Sequence, residues 1–441
     1  MSRKHPKSSN VGALCALSLA IALQGTAGLP RERVVLITID TLRYDAFADG
    51  AGGSSMPATR AFAERGQIFE RFYSASSATQ PTHASLFTGL HPWQHGVPDN
   101  GKVLSESHGT IAEKMQAAGF RTGAVVASFP LKARFGFAQG FDRYDDAVSV
   151  ESGVEDWMGE RVSGGRFYSR GDEVTARALE LLDSLGGERQ FVWIHYFDPH
   201  APYGDGSGRE ISPQEIRRAA NAGSPVLAPM VTQARRGYAR DVVFLDVVMA
   251  PLLQRLAGDS ASIETHVVFT ADHGESLGEE GVIGHGDHTT LEQVHVPTFI
   301  VSPGLEPGTR DDVAGSVDLA GTLLSLAGIA EALPGGGDLT RPALESPHSA
   351  LGMRRPRTRT GRYAGTDGRV TKLPRLEFFV VRGDDFYRGD GDRVERNGQI
   401  EGAADVQSLF TRFGEELAGQ DTVQLDDPET REALKALGYA E

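Results

Sequence analysis

Five short runs of apolar, β-branched and aromatic residues alternate with helical patterns along most of this chain. The runs are almost continuously apolar, which is typical of strands buried on both faces of a parallel sheet. They occupy residues 34–39, 122–127, 191–196, 266–270 and 298–301. Apolar residues at helical spacing lie between or after them, at 58–65, 111–118, 173–185, 235–256 and 317–327. This alternation predicts an α/β fold in which helices flank a large, mostly parallel sheet.

Polar segments directly follow three of these predicted strands, the runs at 34–39, 191–196 and 266–270. Each segment alone would be interpreted as an ordinary solvated loop. In parallel sheets, however, ligands bind at the carboxyl ends of the strands. We therefore expect the three segments to meet and to form one site.

The chain is long enough for one large domain and a smaller one, with 441 residues of which 40% are hydrophobic and 23% charged. We assign residues 33–340 to the large α/β domain. Beyond about residue 340, prolines and arginines become frequent, and strand-like pieces follow at 369–373 and 376–381. A helix capped by Asp427 closes the chain. Residues 341–441 are therefore predicted to form a small C-terminal α+β subdomain.

The amino terminus carries basic residues followed by an apolar run at 11–23 and then small residues. This pattern predicts a secretory signal at residues 1–27 that is cleaved from an exported, periplasmic or extracellular protein. The run is short for a membrane span, so an uncleaved anchor is the alternative. Cys15 lies within the run, but the residue before it is not small, as a lipidation signal requires. Peripheral membrane contact therefore depends on an uncleaved or lipidated signal.

Charge and cysteine content exclude several partners and sites. Lysine and arginine total 44 against 59 acidic residues, a formal net charge of −15, so nucleic acid is not expected as a partner. A small anionic ester stays possible, because a bound cation can reverse the field locally. The single cysteine lies in the predicted signal, which excludes internal disulfides and a thiolate metal site.

Two carboxylates and a histidine emerge from the ends of predicted strands. Asp40 directly follows the run at 34–39, and Asp272 and His273 come after the run at 266–270. A carboxylate at the end of a buried strand is costly unless it binds a cation or a hydrogen-bond donor. Asp40 by itself fits a turn cap equally well. Since aspartate and histidine together provide oxygen and nitrogen ligands, we predict that the three side chains bind one divalent metal ion.

Thr79 begins a further segment with a helical pattern. Pro81 favours the first turn of a helix, which puts Thr79 at the positive helix end, where anions bind. A threonine hydroxyl is a weak nucleophile near neutral pH, and metal coordination is one way to activate it. Thr79 is therefore predicted to be both a metal ligand and the nucleophile. Helix capping is the structural alternative.

Four segments, in this order and spacing, resemble the sulfatase family of the alkaline phosphatase superfamily. They begin at residues 39, 79, 195 and 270 and read IDTLRYD, TQPTHASLFTG, HYFDPHAPY and TADHGESLGEEG. Weaker similarity continues through SVDLAGTLLSLAGI to the closing DPETREALKALGY, so the resemblance covers most of the chain from about residue 33. It implies the sulfatase fold, a divalent metal ion and hydrolysis of an anionic ester.

The chain departs from the sulfatase pattern at four positions. The family's nucleophile is a formylglycine made from cysteine or serine, and Thr79 stands in its place. Threonine cannot give that aldehyde, so the resemblance implies a mechanism without formylglycine. Thr41 stands where sulfatases usually carry a second aspartate, His83 where they carry arginine, and His273 where many carry asparagine.

These departures resemble relatives with a threonine nucleophile, namely lipoteichoic acid synthases, phosphoethanolamine transferases and nucleotide pyrophosphatase/phosphodiesterases. Those relatives act on phosphate esters. The resemblance implies that metal-bound Thr79 attacks a phosphate mono- or diester through a phosphothreonine intermediate, with a sulfate ester as the other possible substrate. It also implies two further catalytic residues: His83, beside the nucleophile, and His200, which donates a proton to the leaving group.

The predicted cofactor is one divalent metal ion. Zinc or manganese suits a set of Asp, Asp, His and Thr ligands better than calcium does. A second ion is left open. Asp198 is a candidate ligand, with a turn carboxylate as the commoner explanation, and His285 and His288 could contact either a second ion or the oxyanion of the ester. His285 is also a candidate substrate contact. His195 lies within a predicted strand and is interpreted as a core histidine.

Two other functions remain open from the sequence. The chain could be a non-catalytic protein with a sulfatase fold that binds an anionic glycan or lipid head group, which the missing cysteine and arginine favour. The retained Asp40, Asp272 and His273 favour an enzyme. A phosphotransferase is the second alternative, in which another alcohol takes the place of water.

Overall fold

A computed structural model gives the fold of most of the chain. It describes residues 31–48, 54–148, 154–157, 160–163, 167–204, 210–331, 333–341, 349–355, 362–367, 369–372, 376–390, 392–400, 403–425 and 427–436. The predicted signal at residues 1–27 lies outside the described residues. Within the described ranges, no helix combines the length and the apolar character needed to cross a membrane.

The main sheet has eight strands. In chain order they are β1 (Glu32–Ile39), β2 (Gln67–Phe69), β3 (Arg121–Val125), β4 (Arg143–Asp145), β5 (Arg189–Tyr196), β6 (Glu264–Ala271), β7 (Thr298–Val301) and β8 (Gly308–Arg310). Their spatial order is β8-β2-β7-β6-β1-β5-β3-β4. Five neighbouring pairs are parallel and the two pairs made by β7 are antiparallel. The predicted large, mostly parallel sheet is confirmed.

The register of the three central strands determines where the site forms. Ile39 at the end of β1 pairs with Ala271 of β6 on one side and with Tyr196 of β5 on the other. All three strands are therefore parallel and end at the same level. The residues that follow them leave the sheet side by side, because parallel strands in register share one carboxyl edge.

Helices of seven or more residues flank this sheet, and the last two of them lie near the C-terminal end of the described residues. They are α1 (Pro57–Ala63), α2 (Thr79–Thr88), α3 (Ile111–Ala117), α4 (Gly171–Ser184), α5 (Pro213–Asn221), α6 (Leu227–Asp259), α7 (Asp318–Leu326), α8 (Ala404–Ala418) and α9 (Pro428–Ala436). Helices α1 and α4 contact α6, whereas α2 and α3 contact α7. All ten residues of α2 are buried. The helix that carries Thr79 is therefore part of the core.

Five antiparallel strands form a second, smaller sheet, the C-terminal sheet. These strands are β9 (Ser349–Arg354), β10 (Glu377–Arg382), β11 (Asp385–Gly389), β12 (Val394–Arg396) and β13 (Gln399–Ile400). Helix α8 covers the sheet, and Phe413 of α8 stacks on Trp93 of the large domain with ring centroids 4.1 Å apart. The C-terminal sheet is thus joined to the large domain by a shared apolar cluster.

The strand and helix predictions agree with the structure to within a few residues at most ends, and Asp427 caps α9 through the amide of Thr430. One prediction was wrong. The sequence at 205–229 predicts a long loop that recognises the alcohol part of the substrate, but its described residues, 210–229, contain α5 and the start of α6. Ser212 and Glu215 form a capping box around Pro213, and this signature of a helix start was readable in the sequence.

Candidate active site

Asp40, Asp272 and His273 meet at the carboxyl edge of the main sheet. The amide of Asp40 donates to Tyr196 O at 2.9 Å, and the amide of Asp272 donates to Ile39 O at 3.0 Å. The strand ladder therefore continues one residue past each strand and fixes both backbones. All three side chains are fully buried. The structure brings these predicted metal ligands together.

Their polar atoms are aimed at one another without hydrogen bonds. Within the described part of the chain, both carboxylate oxygens of Asp40, Oδ2 of Asp272 and Nε2 of His273 have no hydrogen-bond partner. His273 Nε2 lies 3.7 Å from Asp40 Oδ1 and 3.7 Å from Asp272 Oδ2. Gaps of this size fit donor atoms that share one ion at ~2.1 Å each. The residues present therefore fit a divalent metal ion.

Hydrogen bonds also define which histidine nitrogen has a lone pair. Nδ1 of His273 lies 3.0 Å from Gly274 O. Since a carbonyl only accepts, Nδ1 carries the proton and Nε2 is left as a metal donor. His195 has the opposite arrangement, because its Nδ1 accepts from the amide of Ala127 at 3.4 Å. Its Nε2–H therefore faces Asp40 Oδ2, 3.8 Å away.

His195 was expected to be a core histidine, and it is fully buried. Its ring nevertheless faces the predicted metal ligands, with Nε2 3.8 Å from Asp40 Oδ2. Sequence reasoning missed this role because a histidine inside an apolar strand gives no sign of the face to which it points.

His83 lies beside Thr79, as the resemblance implied, and both of its ring nitrogens have partners. Nδ1 donates to Thr79 O at 2.8 Å and lies 3.8 Å from Asp272 Oδ2, while Nε2 lies 3.1 Å from Thr38 Oγ1. Burial lowers the pKa of His83 to about 4, so the ring is neutral near pH 7. His83 therefore cannot supply the positive charge of the arginine that it replaces.

The electrostatics of the ligand cluster favour a cation. Burial, together with the nearby Asp272 and Glu275 carboxylates, raises the pKa of Asp40 well above its ordinary value. Burial also raises the pKa of Asp272, against the opposing effect of two backbone amides that donate to Oδ1. A divalent ion reverses both shifts by stabilising the ionised carboxylates.

Thr79 occupies the first position of α2 and is fully buried. The preceding residue, Ala78, provides no side-chain cap. Asn100, from another loop, caps the helix instead. Its side-chain Oδ1 accepts a hydrogen bond from the amide of Gln80 at 2.8 Å. Its Nδ2 is then buried beside the helix start with no hydrogen-bond partner among the residues described. Asn100 is a candidate substrate donor that sequence reasoning missed, because a single loop asparagine carries no pattern.

Thr41 adopts a left-handed backbone next to Asp40, with φ of 57°. This conformation is strained for a β-branched residue. Its amide donates to Asp272 Oδ1 at 3.2 Å and its carbonyl accepts from the Tyr238 hydroxyl at 2.9 Å. These two contacts hold the turn that points Asp40 into the cluster.

His200 and His285 lie together near the predicted metal ligands. The ring centroid of His285 is 4.4 Å from that of His273 and 5.0 Å from that of His200. Nδ1 of His285 lies 3.0 Å from Oε1 of the fully buried Glu275. Burial raises the pKa of Glu275 to about 7. Sequence reasoning missed Glu275, although it lies only two residues after His273.

The other candidates for a second metal site, Asp198 and His288, belong to no group of close metal-ligating atoms among the described residues. Asp198 Oδ2 accepts from the amide of Gly171 at 2.7 Å, as expected for a turn carboxylate at a helix start. The groups of close metal-ligating atoms among the described residues involve only Asp40, Asp272, His273, His83 and His195.

Comparisons with known proteins agree with this architecture. Residues 32–329 match the family model described as Sulfatase. The chain is 24% identical to a choline-sulfatase from Rhizobium meliloti over 359 residues, 69% of each chain. It is 26% identical to arylsulfatase A of Homo sapiens over 365 residues, 72% of this chain and 68% of that protein.

A solved structure of a phosphonate monoester hydrolase from Silicibacter pomeroyi has the same fold. The TM-score is 0.64 at 18% identity, and the match covers 88% of this chain and 94% of that one. The family model alone spans more than half of the chain. The chain belongs to the sulfatase family of ester hydrolases.

Proposed function

We propose that this protein is an exported phosphoric ester hydrolase in which Thr79 is the nucleophile and a divalent metal ion is bound beside it. The observation that carries the proposal is a set of buried atoms at the carboxyl edge of the sheet that could bind a metal ion and have no hydrogen-bond partner among the described residues. They are both carboxylate oxygens of Asp40, Oδ2 of Asp272 and Nε2 of His273. His83 links Thr79 to this set, because its Nδ1 lies near both Thr79 O and Asp272 Oδ2.

Asp40, Asp272, His273 and Thr79 would hold the ion, and zinc or manganese suits this donor set better than calcium. When bound, such an ion stabilises the ionised threonine oxygen and offsets the negative charge of the ester. His195 orients Asp40, and His83 holds the first turn of α2 through Thr79 O. These two residues act through their neighbours and do not contact the substrate.

Two steps account for turnover. In the first, Thr79 Oγ1, whose proton has been released to solvent, forms a bond to phosphorus while the bond from phosphorus to the ester oxygen breaks. The departing alkoxide takes a proton from the protonated ring of His200, whose Nδ1 lies 2.6 Å from Ala201 O, so that Nε2 is the nitrogen that donates. In the second, water attacks phosphorus and gives a proton to His200, and the bond from phosphorus to Thr79 Oγ1 breaks, which restores both residues. A monoester substrate then leaves as inorganic phosphate and a diester substrate as a phosphate monoester. Nδ2 of Asn100 donates to an anionic oxygen of the substrate in both steps. His285 binds the substrate from the opposite loop.

The nucleophile favours phosphate over sulfate. Formylglycine carries a second hydroxyl on its reactive carbon, so its sulfate ester can be released by breaking a carbon–oxygen bond. Thr79 has no such hydroxyl, and its ester can be opened only by attack on phosphorus or sulfur. The phosphonate monoester hydrolase fold match supports phosphorus chemistry on this scaffold.

The test compares two esters of one alcohol. Purified protein loaded with zinc or manganese is expected to hydrolyse an aryl phosphate or phosphodiester faster than the matching aryl sulfate, measured by release of the phenol. Faster hydrolysis of the sulfate would refute the phosphate preference. If neither ester is cleaved although metal is bound, the binding protein becomes the better explanation.

The role of Asn100 makes a second prediction. Asn100→Asp keeps an oxygen that accepts from the amide of Gln80 but replaces the Nδ2 donor with a carboxylate oxygen. We expect kcat/KM for the phosphate ester to fall about 10²- to 10³-fold, as for loss of one oxyanion donor. Steady-state kinetics measure the change and thermal unfolding checks that α2 stays capped. Unchanged activity of this variant would exclude a substrate contact for Asn100.

A further inference from the structure

Arg354, the last residue of β9, is fully buried although it belongs to the C-terminal sheet. Its guanidinium reaches out of that sheet into the large domain. Nε donates to Gly286 O, Nη2 lies 3.1 Å from Asp99 Oδ1, and Nη1 lies 3.5 Å from Pro98 O. One side chain therefore bonds to two loops that are far apart in the sequence.

These are the two loops that carry the candidate substrate contacts. Gly286 directly follows His285, and Asp99 directly precedes Asn100. The planar fork of a guanidinium has donors in fixed directions. Since its donors bond to both loops at once, Arg354 determines how far apart they lie.

Glu377 provides a second attachment from the same sheet. It lies directly opposite Arg354 in the β9–β10 register. Its Oε1 accepts from the amide of Thr289 at 2.6 Å and from Thr289 Oγ1 at 2.7 Å. Arg354 and Glu377 therefore hold residues 286 and 289 of the same loop, one on either side of Asp287 and His288.

We infer that Arg354 is a positioning residue for substrate binding, which sets the separation between Asn100 and His285. The C-terminal sheet then acts as a part of the active site, although none of its residues is assigned a contact with the substrate. This inference rests on the proposed function for the roles of Asn100 and His285. We call the attachment of the two loops to the C-terminal sheet by Arg354 and Glu377 the clamp. The clamp itself rests only on the contacts of these two residues.

Hydrogen exchange tests the clamp independently of activity. In Arg354→Gln, we expect amide exchange to become at least about 10-fold faster in both segments 98–101 and 285–289. Local opening of either segment no longer requires the contacts of the guanidinium to be broken first. The control is Arg382→Gln, which removes an arginine of β10 whose partner is the exposed Asp405. That variant is expected to leave both segments unchanged. Unchanged exchange in either segment of Arg354→Gln would overturn the inference.

Kinetics test the consequence for substrate binding. Arg354→Gln is expected to raise KM for an aryl phosphate about 10- to 100-fold, since small displacements of positioning groups have effects of this size. Bound metal should stay at the wild-type level, because the metal ligands lie on other strands. Arg354→Lys keeps the charge but not the fork, so it should recover only part of the loss. Full recovery by lysine, or an unchanged KM in Arg354→Gln, would contradict positioning by the guanidinium.

Two further outcomes separate this inference from the proposed function. If wild-type protein cleaves no ester, the proposed function fails while the exchange experiment still decides whether the clamp exists. If Arg354→Gln does not fold, Asp99→Ala removes the shorter of the two contacts between Arg354 and residues 98–99, at a partly exposed side chain. That variant should also raise KM and speed exchange at 98–101, and wild-type values for both would overturn the inference.

Discussion

Thr79→Ala is expected to lower kcat/KM for a phosphate ester by roughly 10⁴-fold or more, the scale of losses when a catalytic nucleophile is removed. The reason is that no other hydroxyl is proposed to attack the ester. A water molecule that attacked directly would not be held at the start of α2, as the Thr79 hydroxyl is. Thr79→Val should have the same effect, because it keeps the shape of the side chain and removes only the hydroxyl. Steady-state kinetics and metal analysis on the same samples measure the result.

The matched control is Thr79→Ser, which keeps the hydroxyl and should retain most of the activity. An intact-mass measurement after brief exposure to a reactive aryl phosphate adds direct evidence. We expect a mass increase of one phosphoryl group in the wild type and none in Thr79→Val. Activity of Thr79→Val near the wild-type level would eliminate Thr79 as the nucleophile.

Removal of the metal is the second change with a large expected effect. A ligand present at ~1,000 times its Kd stabilises a folded protein by about 4 kcal/mol. A chelator should therefore lower Tm, and it should do so more at pH 8 than at pH 5. The difference between the two pH values comes from the buried carboxyl groups of Asp40 and Asp272.

The direction of this pH dependence follows from the pKa values of Asp40 and Asp272. Without metal, both pKa values are raised above the ordinary 3.8, so the folded chain binds more protons than the unfolded chain above about pH 4. The contribution of these two groups to the free energy of unfolding of the metal-free protein is fully present below about pH 4. It is lost as the pH rises through the pKa values that Asp40 and Asp272 have in the folded state. With metal bound, protons compete with the ion, so stability falls as pH decreases. The Tm gap between the two forms therefore widens towards pH 8.

Thermal unfolding with and without chelator at both pH values measures this gap. Asp272→Asn serves as the control, because the amide oxygen can still accept from the backbone of Thr41 and His273 while the second ligand oxygen is lost. Chelator should have little effect on Tm of this variant. A Tm of the wild type that does not respond to chelator at either pH would contradict a metal site.

Much of the fold and part of the site could be predicted from the sequence, because short-range patterns encode them. Continuous apolar runs have few alternatives to buried strands, and the strands ending at Ile39 and Ala271 were predicted to within a residue of their carboxyl ends. Asp40, Asp272 and His273 were found because polar groups at the ends of buried strands need a partner. The helix α5 was missed even though its capping box is local, since its polar composition suggested a loop.

The sequence by itself determined the five strands at the centre of the main sheet and the chemical groups that stand at their ends. Tertiary structure decided which of those groups meet. The pairing of Ile39 with Ala271 and Tyr196 brings Asp40, Asp272 and His195 to one level, and register depends on long-range contacts that no local pattern contains. The same holds for Asn100 and Arg354, whose contacts join segments far apart in the chain, because only the folded backbone brings their partners within reach.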